Sequence, residues 1–369
     1  MADSLKSHYG EAIPRRIATM ISAVARDFDA DAFIRDALDG YEPLALTQRA
    51  RHIAKALRRH LPDDFPRAAD ILVHSIGPKL EMTEGHGMAP FIYLPHLMYV
   101  AEHGLDHFEE SMRAQYELTQ RFSAEFSIRA FLERHPEATV ARLAEWTKDP
   151  SPHVRRLVSE GTRPRLPWAS RLRVFEKDPR PVLALLELLK DDPSLYVRRS
   201  VANHLNDIGK DHPELLITIA RKWMRGASDE RRWLIDHALR SSIKRGEPAA
   251  LEVMGFKGTA NVTVRGVRIT PARPTRGDSV TIQFEVANST TRRQRVLVDF
   301  RIHFVKANGS TSAKVFKVKE LSLAPRESAQ LSKKVSLKEM TTRKHYPGRH
   351  RVDVLLNGRA RLLGAFDLR

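Results

Sequence analysis

The chain has 369 residues, is 42% hydrophobic and carries a formal net charge of +17, a size that suits two or three domains. It contains no cysteine, which excludes disulfides, thiolate zinc sites, iron–sulfur clusters and a cysteine nucleophile. The opening MADSLKSHYG is polar, and no apolar run approaches the ~18 residues of a membrane span, so a cytoplasmic protein of bacterial type, with no membrane partner, is expected.

The charge is unevenly placed. Gly258 to Arg369 hold 23 Lys and Arg against 8 Asp and Glu, a net of +15. Residues 1–257 hold 39 against 37. A basic module beside a nearly neutral one suggests a polyanionic partner, most often nucleic acid.

In chain order, Ile13, Ile17, Met20, Ile21 and Val24 fall at helical spacing. LALTQRARHIAKALRRHLP (44–62) repeats that pattern and ends at Pro62. PRAADILVHSIG (66–77), LPHLMYVAEHG (94–104) and SMRAQYELTQRFSAEFSIRAFLERH (111–135) continue it. From residue 135 the chain repeats itself. HPEATVARLAEWTKDPSPHVRRLVSEG (135–161) is echoed 43 residues later by DPRPVLALLELLKDDPSLYVRRSVANH (178–204). HPELLITIARKWMRGASDERRWLIDH (212–237) is a weaker third copy. Each unit reads as helix, Asp/Pro/Ser turn, helix, the pattern of HEAT-type repeats that stack into a curved solenoid.

Near Gly255 the period shifts to two. SVTIQFEVANS (279–289) aligns Val280, Ile282, Phe284 and Val286; RVLVDFRIHFVKANG (295–309) aligns Val296, Val298, Phe300, Ile302 and Phe304. Further strands follow, with Asn357-Gly358 as a hairpin turn. Roughly seven short strands indicate an immunoglobulin-like β-sandwich. The expected fold is therefore a HEAT-like α-helical solenoid over 1–255 and a basic Ig-like β-sandwich over 258–369.

The second helix of each repeat sets one i,i+4 pair on a shared outer face: Arg156/Glu160, Arg199/Asn203 and Arg232/Asp236. Their recurrence points to a binding groove, because the planar fork of Arg grips phosphate with two hydrogen bonds. As isolated pairs they would be surface salt bridges worth about 0–1 kcal/mol. GTRPRLPW (161–168) adds Arg163 and Arg165 on a proline-stiffened loop ending in Trp168, either a core residue or a ring displayed to a ligand. SAEFSIRAFL (123–132) sets Glu125 and Arg129 at i,i+4, with Arg129 expected among the DNA-binding arginines and Phe122, Phe126 and Ile128 on the buried side. The basic runs TTRRQR (290–295), with Arg292 and Arg293, and TTRKHYPGRHR (341–351), with Arg349 and Arg351, fall in turns of the sandwich. Such loops at one end of a sandwich would hold phosphates. His103 and His107 beside Glu102 form a possible metal pair or a set of solvated side chains. No phosphate-loop, HExxH, GxSxG or dinucleotide fingerprint is present, so neither cofactor nor metal is expected.

EFSIRAFL, DPSPHVRRLVSEGTRPRLPW and DPSLYVRRSVANHLNDIGKDHPELL resemble the AlkC branch of the AlkC/AlkD DNA alkylation-repair glycosylases. The resemblance covers most of residues 1–255 and extends to the tail, where PGRHRVDVLLNG is similar to the Ig-like domain some members carry. It implies a monomeric, monofunctional glycosylase of base excision repair. Such an enzyme acts on double-stranded DNA with N-alkylated bases, 3-methyladenine and 3-methylcytosine, without drawing the base into a deep pocket. It also implies that Glu125 is the acid of the EFxIR motif and Trp168 the aromatic of the RLPW motif. Glu160 joins these two from its place in the expected groove. Alkylation leaves the base cationic, so positive charge grows on the sugar as the bond breaks. A carboxylate can stabilise that charge and orient water, and an aromatic face can add about 0.5–2 kcal/mol. Two other readings use the same residues: a non-catalytic binder of DNA structure, and a HEAT/Ig scaffold for an acidic protein partner.

Overall fold

The computed structural model describes residues 5–256, 258, 260–340 and 344–369. Thr341, Thr342 and Arg343 of the second basic run lie outside the described residues. Among the described residues no helix is long and apolar enough to cross a membrane.

Seven helices precede the repeats: α1 (Ala12–Ser22), α2 (Ala30–Leu38), α3 (Leu46–His60), α4 (Phe65–Ser75), α5 (Leu94–His103), α6 (Phe108–Thr119) and α7 (Ile128–Arg134). Local chemistry starts and stops them. The Asp29 carboxylate accepts from Ala32 N at 2.9 Å to cap α2, and Asp64 caps α4 in the same way. Ile17, Ile21, Ile53 and Leu57 are fully buried in one core with Phe33 and Tyr99. At roughly 1.5–3 kcal/mol for each large apolar side chain, this burial rather than helix propensity holds the bundle. Val24 falls past the end of α1 and is 43% exposed, outside the face expected for it. The single helix expected over 111–135 is broken. α6 ends at Thr119, and residues 120–127 form turns before α7.

The repeats follow as α8 (Pro136–Trp146) and α9 (Pro152–Gly161), then, after the short α10 (Arg173–Lys177), α11 (Arg180–Leu189) and α12 (Leu195–Asp211). The third copy is α13 (Pro213–Met224) and α14 (Asp229–Arg245), and α15 (Pro248–Val253) ends the helical part. The Asp-Pro-Ser turns are built identically. Asp149 Oδ1 accepts from Ser151 N and Asp192 Oδ1 from Ser194 N, both at 2.8 Å. The first arginine of each VRR triplet folds back on its own turn. Arg155 donates to the carbonyls of Asp149 and Pro150, and Arg198 to those of Asp192 and Pro193. Arg155 also makes a two-pronged contact with Asp192, stapling one repeat to the next.

Seven strands follow: β1 (Val262–Thr270), β2 (Ser279–Asn288), β3 (Gln294–Val305), β4 (Thr311–Leu323), β5 (Ser328–Ser336), β6 (Gly348–Leu356) and β7 (Arg359–Leu368). They form two antiparallel sheets, ordered β1-β2-β5 and β4-β3-β6-β7, the Ig-like arrangement. The residues aligned on β2 and β3 by their period of two are all buried in the shared core. Asn357 and Gly358 both take positive φ in the β6–β7 turn, which the tight hairpin requires.

The chain divides into two compact units, Met1–Pro213 with Ser228–Ala238, and Glu214–Ala227 with Leu239–Arg369. By packing, α13, the second half of α14 and α15 thus group with the strands. Within this second unit, Gly246 lies against Gly358, where an added Cβ would meet the Gly358 carbonyl oxygen at 2.8 Å. The Arg295 guanidinium covers the Phe256 ring at 4.7 Å.

Candidate active site

Glu125 stands in the turn that separates α6 from α7 rather than on a helix face. Ser123 donates its hydroxyl to the Glu125 carboxylate at 2.7 Å, and Arg156 Nη1 donates to the same oxygen at 2.8 Å. Arg156 Nη2 reaches back to Glu160 at 3.6 Å, one turn along α9. Glu160 in turn accepts from Arg163 Nη1 at 2.6 Å and from the Ser200 hydroxyl at 2.5 Å. Arg163 Nε donates to Asp207 Oδ2 at 2.9 Å. The result is an alternating chain of charge, Glu125, Arg156, Glu160, Arg163, Asp207, closed by Lys210, whose Nζ donates to Asp207 Oδ1 at 2.8 Å. It runs from the surface at Glu125 into the protein at Asp207.

Burial by itself would push Glu160 up, but the guanidinium groups of Arg156 and Arg163 and the hydrogen bonds from Ser200 and Arg163 outweigh it and hold the acid ionised. Arg156 is likewise opposed by burial and held protonated by Glu125 and Glu160. Its guanidinium lies 4.9 Å from the centroid of the Tyr196 ring, a cation–π contact that fixes its plane.

The open end of this chain faces a cavity of about 280 Å³. Glu125, Arg156 and Glu160 line it together with Phe122, Phe126 and Trp168. Trp168 is displayed, not interred: its ring is 67% exposed and its φ is +65°. The expected trio of Glu125, Glu160 and Trp168 thus meets at one cavity. Phe122 and Phe126 are half-buried on its wall, whereas Ile128 is buried as expected.

Several arginines expected to grip phosphate are engaged inside the protein. Arg129 is 3% exposed and donates to the main-chain carbonyls of Gly161, Arg163 and Ser170. Arg163 is buried between Glu160 and Asp207, and Arg165 is fixed by a two-pronged contact with Asp211 at 2.9 and 2.6 Å. Their forks already hold protein acceptors. The three expected pairs differ as well. Arg156/Glu160 is internal. Arg199 is exposed and bound to Glu84 at 2.7 Å, and Asn203 Oδ1 accepts from His237 Nε2 at 3.1 Å. Arg232 is exposed and Asp236 half-buried on α14. In the sandwich Arg292, Arg293, Arg349 and Arg351 are all exposed. The two basic runs do not share an end, however. β3 and β6 are antiparallel, with His303 opposite Arg351 and Val298 opposite Leu356. Arg292 and Arg293 precede β3 and Arg349 is the second residue of β6, so a strand length of about 40 Å separates them. His103 and His107 pack on the rings of Tyr99 and Phe65, and among the described residues no group of three or more His, Asp or Glu could hold a metal ion.

Ser123, Tyr196, Ser200 and Asp207 complete the charge chain and were not singled out by the sequence. Asp207 lies four residues before Asp211 in the same helix as Arg199, a position no repeat comparison marks.

A solved structure of the Pseudomonas fluorescens alkylpurine DNA glycosylase AlkC, bound to DNA containing an abasic site analog, superposes with a TM-score of 0.92, 39% identity and full coverage of both chains. The chain belongs to the AlkC-type family. The Bacillus subtilis (strain 168) relative "Uncharacterized protein YhaZ" is 37% identical over 359 residues, 97% of each chain. The family described as "Uncharacterised protein YhaZ, C-terminal Ig-like domain" matches residues 263–369. Membership of the AlkC-type family therefore covers both the helical array and the sandwich, including the turn that carries Glu125 and the loop that carries Trp168.

Proposed function

We propose that this chain is a monofunctional DNA glycosylase that hydrolyses the N-glycosidic bond of cationic alkylated bases, 3-methyladenine and 3-methylcytosine. The observation that carries the reading is the shared cavity, lined by Glu125, Glu160 and the exposed Trp168, in a protein similar over its whole length to AlkC. A base already cationic needs no proton to leave. The demand is on the sugar, where positive charge grows at C1′ as the bond lengthens. Glu125, held by Ser123 and Arg156, is placed to face that charge and to orient a water for attack on the opposite side of the leaving base. Trp168 offers a ring face to the sugar or to the cationic base. Access from an open cavity, without a deep base pocket, fits a reaction at the edge of the duplex.

In this reading Arg156 orients Glu125 and, with Arg163, holds Glu160 ionised, and phosphate contacts fall to exposed cations: Arg199 and Arg232 in the helical part, Arg292, Arg293, Arg349 and Arg351 in the sandwich. Double-stranded DNA is the partner. The direct test is incubation of the full chain with methylated duplex DNA and analysis of the bases set free. Release of 3-methyladenine or 3-methylcytosine, with an abasic site left in the DNA, is the expected outcome. Preferential binding to an abasic-analogue duplex with no base released would instead make the protein a non-catalytic binder.

A further inference from the structure

Trp168 is shown to solvent by a backbone conformation that a bulky L-residue avoids. At φ +65° it lies in the left-handed region, which is strained for a residue with a Cβ. With the ring 67% exposed, burial does not offset that strain. The loop around it must impose it.

The loop has two legs. The rising leg leaves α9 at Gly161 and passes Arg163 and Arg165; the returning leg passes Ser170 to Leu172. One side chain ties them together. Arg129 Nη1 donates to Gly161 O at 3.1 Å and to Arg163 O at 2.8 Å, and Arg129 Nη2 donates to Ser170 O. Two acceptors precede Trp168 and one follows it, so a single planar fork closes the base of the loop. Arg129 is 3% exposed. Burial draws its pKa down to about 10, which still leaves it charged at neutral pH. Its donors go to main-chain carbonyls, and its Nε has no partner. A buried cation spent on three loop carbonyls is costly unless the loop's shape matters. Arg163 and Arg165 pin the rising leg further, through Glu160, Asp207 and Asp211.

We propose that Arg129 is a positioning residue for the reaction: it clamps both legs of the 161–172 loop and so holds the Trp168 ring over the cavity that contains Glu125. This rests on reading that cavity as the glycosidic site. The segment EFSIR then has two tasks. Its Glu125 supplies the acid, and its Arg129, four residues on, fixes the loop that carries the indole. Acid and ring are registered to each other through one short piece of chain.

The test is a cycle of Arg129→Lys and Trp168→Ala, singly and together, in the full chain. Lysine keeps the charge and loses the fork. Single-turnover excision of 3-methyladenine from duplex DNA is expected to slow about 10- to 100-fold in Arg129→Lys, with affinity for an abasic-analogue duplex within about twofold of wild type, as expected for a residue that touches no phosphate. In the Trp168→Ala background the same lysine change is expected to slow excision less than about twofold, because the two residues act through one contact set. A second readout needs no DNA. In protein labelled with 5-fluorotryptophan, the Trp168 resonance, identified by its loss in Trp168→Phe, is expected to shift or broaden in Arg129→Lys. Equal slowing in both backgrounds, or an unchanged resonance in Arg129→Lys, overturns the proposal. If Trp168→Ala leaves excision at the wild-type rate, the cavity reading fails on its own, and the fluorine resonance still decides whether Arg129 holds the ring.

Discussion

His96 on α5 and His204 on α12 are fully buried. Burial holds the His96 pKa down to about 4. Burial, with the Arg163 guanidinium adding to it, holds His204 down to about 3. Both are neutral in the folded protein at pH 7. The unfolded chain takes up protons near pH 6.5, so their contribution to stability is complete above that pH and is lost as pH falls towards 4 and 3. The melting temperature is expected to be flat above pH 7 and to drop between pH 6.5 and 4, with roughly 3 kcal/mol from His96 alone at the acid end. Neither ring nitrogen of His96 has a partner, so His96→Leu leaves no polar group stranded. That variant should match wild type at pH 7 and show a shallower acid slope; an identical slope would clear His96 of the effect. At this scale the sequence was partly readable. Glu125 and Trp168 stood out by motif, yet their settings did not. The spacing of Glu125 is helical, but Ser127 bonds Gln115 and Thr119 accepts from Ala124 N, and such side-chain bonds compete with the helix ladder. Trp168 lies in a loop, where periodicity carries no information on burial, and its positive φ leaves no trace in residue type.

α7 and α9 meet at Gly161. A Cβ there would stand 2.5 Å from Ile128 Cγ2 and 3.3 Å from Leu157 Cδ1, with the Glu125 Cα at 3.8 Å. Gly161→Ala must therefore push α7 and the Glu125 turn away from α9. A loss of about 1–3 kcal/mol in urea unfolding is expected, together with slower excision, because the same movement parts Glu125 from Arg156. Wild-type stability would mean that the two helices meet less closely. The repeats themselves were legible, since a 43-residue echo with matched Asp-Pro-Ser turns is hard to mistake. What the echo hid was a division of labour inside VRR. The first arginine is structural in both copies, bound to its own turn. The second turns to the site in one copy and to Glu84 in the other. Identical letters took different partners because only the first repeat has Glu125 beside it.

Over the whole molecule the net charge of +15 in the last 112 residues is spread along the sandwich. Arg292 and Arg293 sit at the opposite end of the β4-β3-β6-β7 sheet from Arg349 and Arg351, a relation that strand register alone could reveal. A duplex laid across one end leaves the other clear. Double reversal to glutamate at Arg292 and Arg293, or at Arg349 and Arg351, should therefore behave differently in salt titrations. One of the two is expected to lower the slope of log K against log salt by about 2, the other by about 0. Equal slopes would spread the contact over both ends. The order of helices then strands, and the apolar faces of β2 and β3, were plain in the sequence because burial on one face of a strand dictates alternation. The grouping of α13 and α15 with the strands was not, because it depends on tertiary packing such as Gly246 against Gly358.

The proposed reaction turns on a carboxylate that acts on a charge present only as the base departs. Glu125→Gln keeps the shape and the hydrogen bond to Ser123 while removing the charge. Single-turnover excision of 3-methyladenine by this variant, set beside its affinity for duplex DNA, is the most direct measurement. Excision slowed about 100-fold or more with affinity within a few-fold of wild type is the expected result; wild-type excision by Glu125→Gln would contradict it.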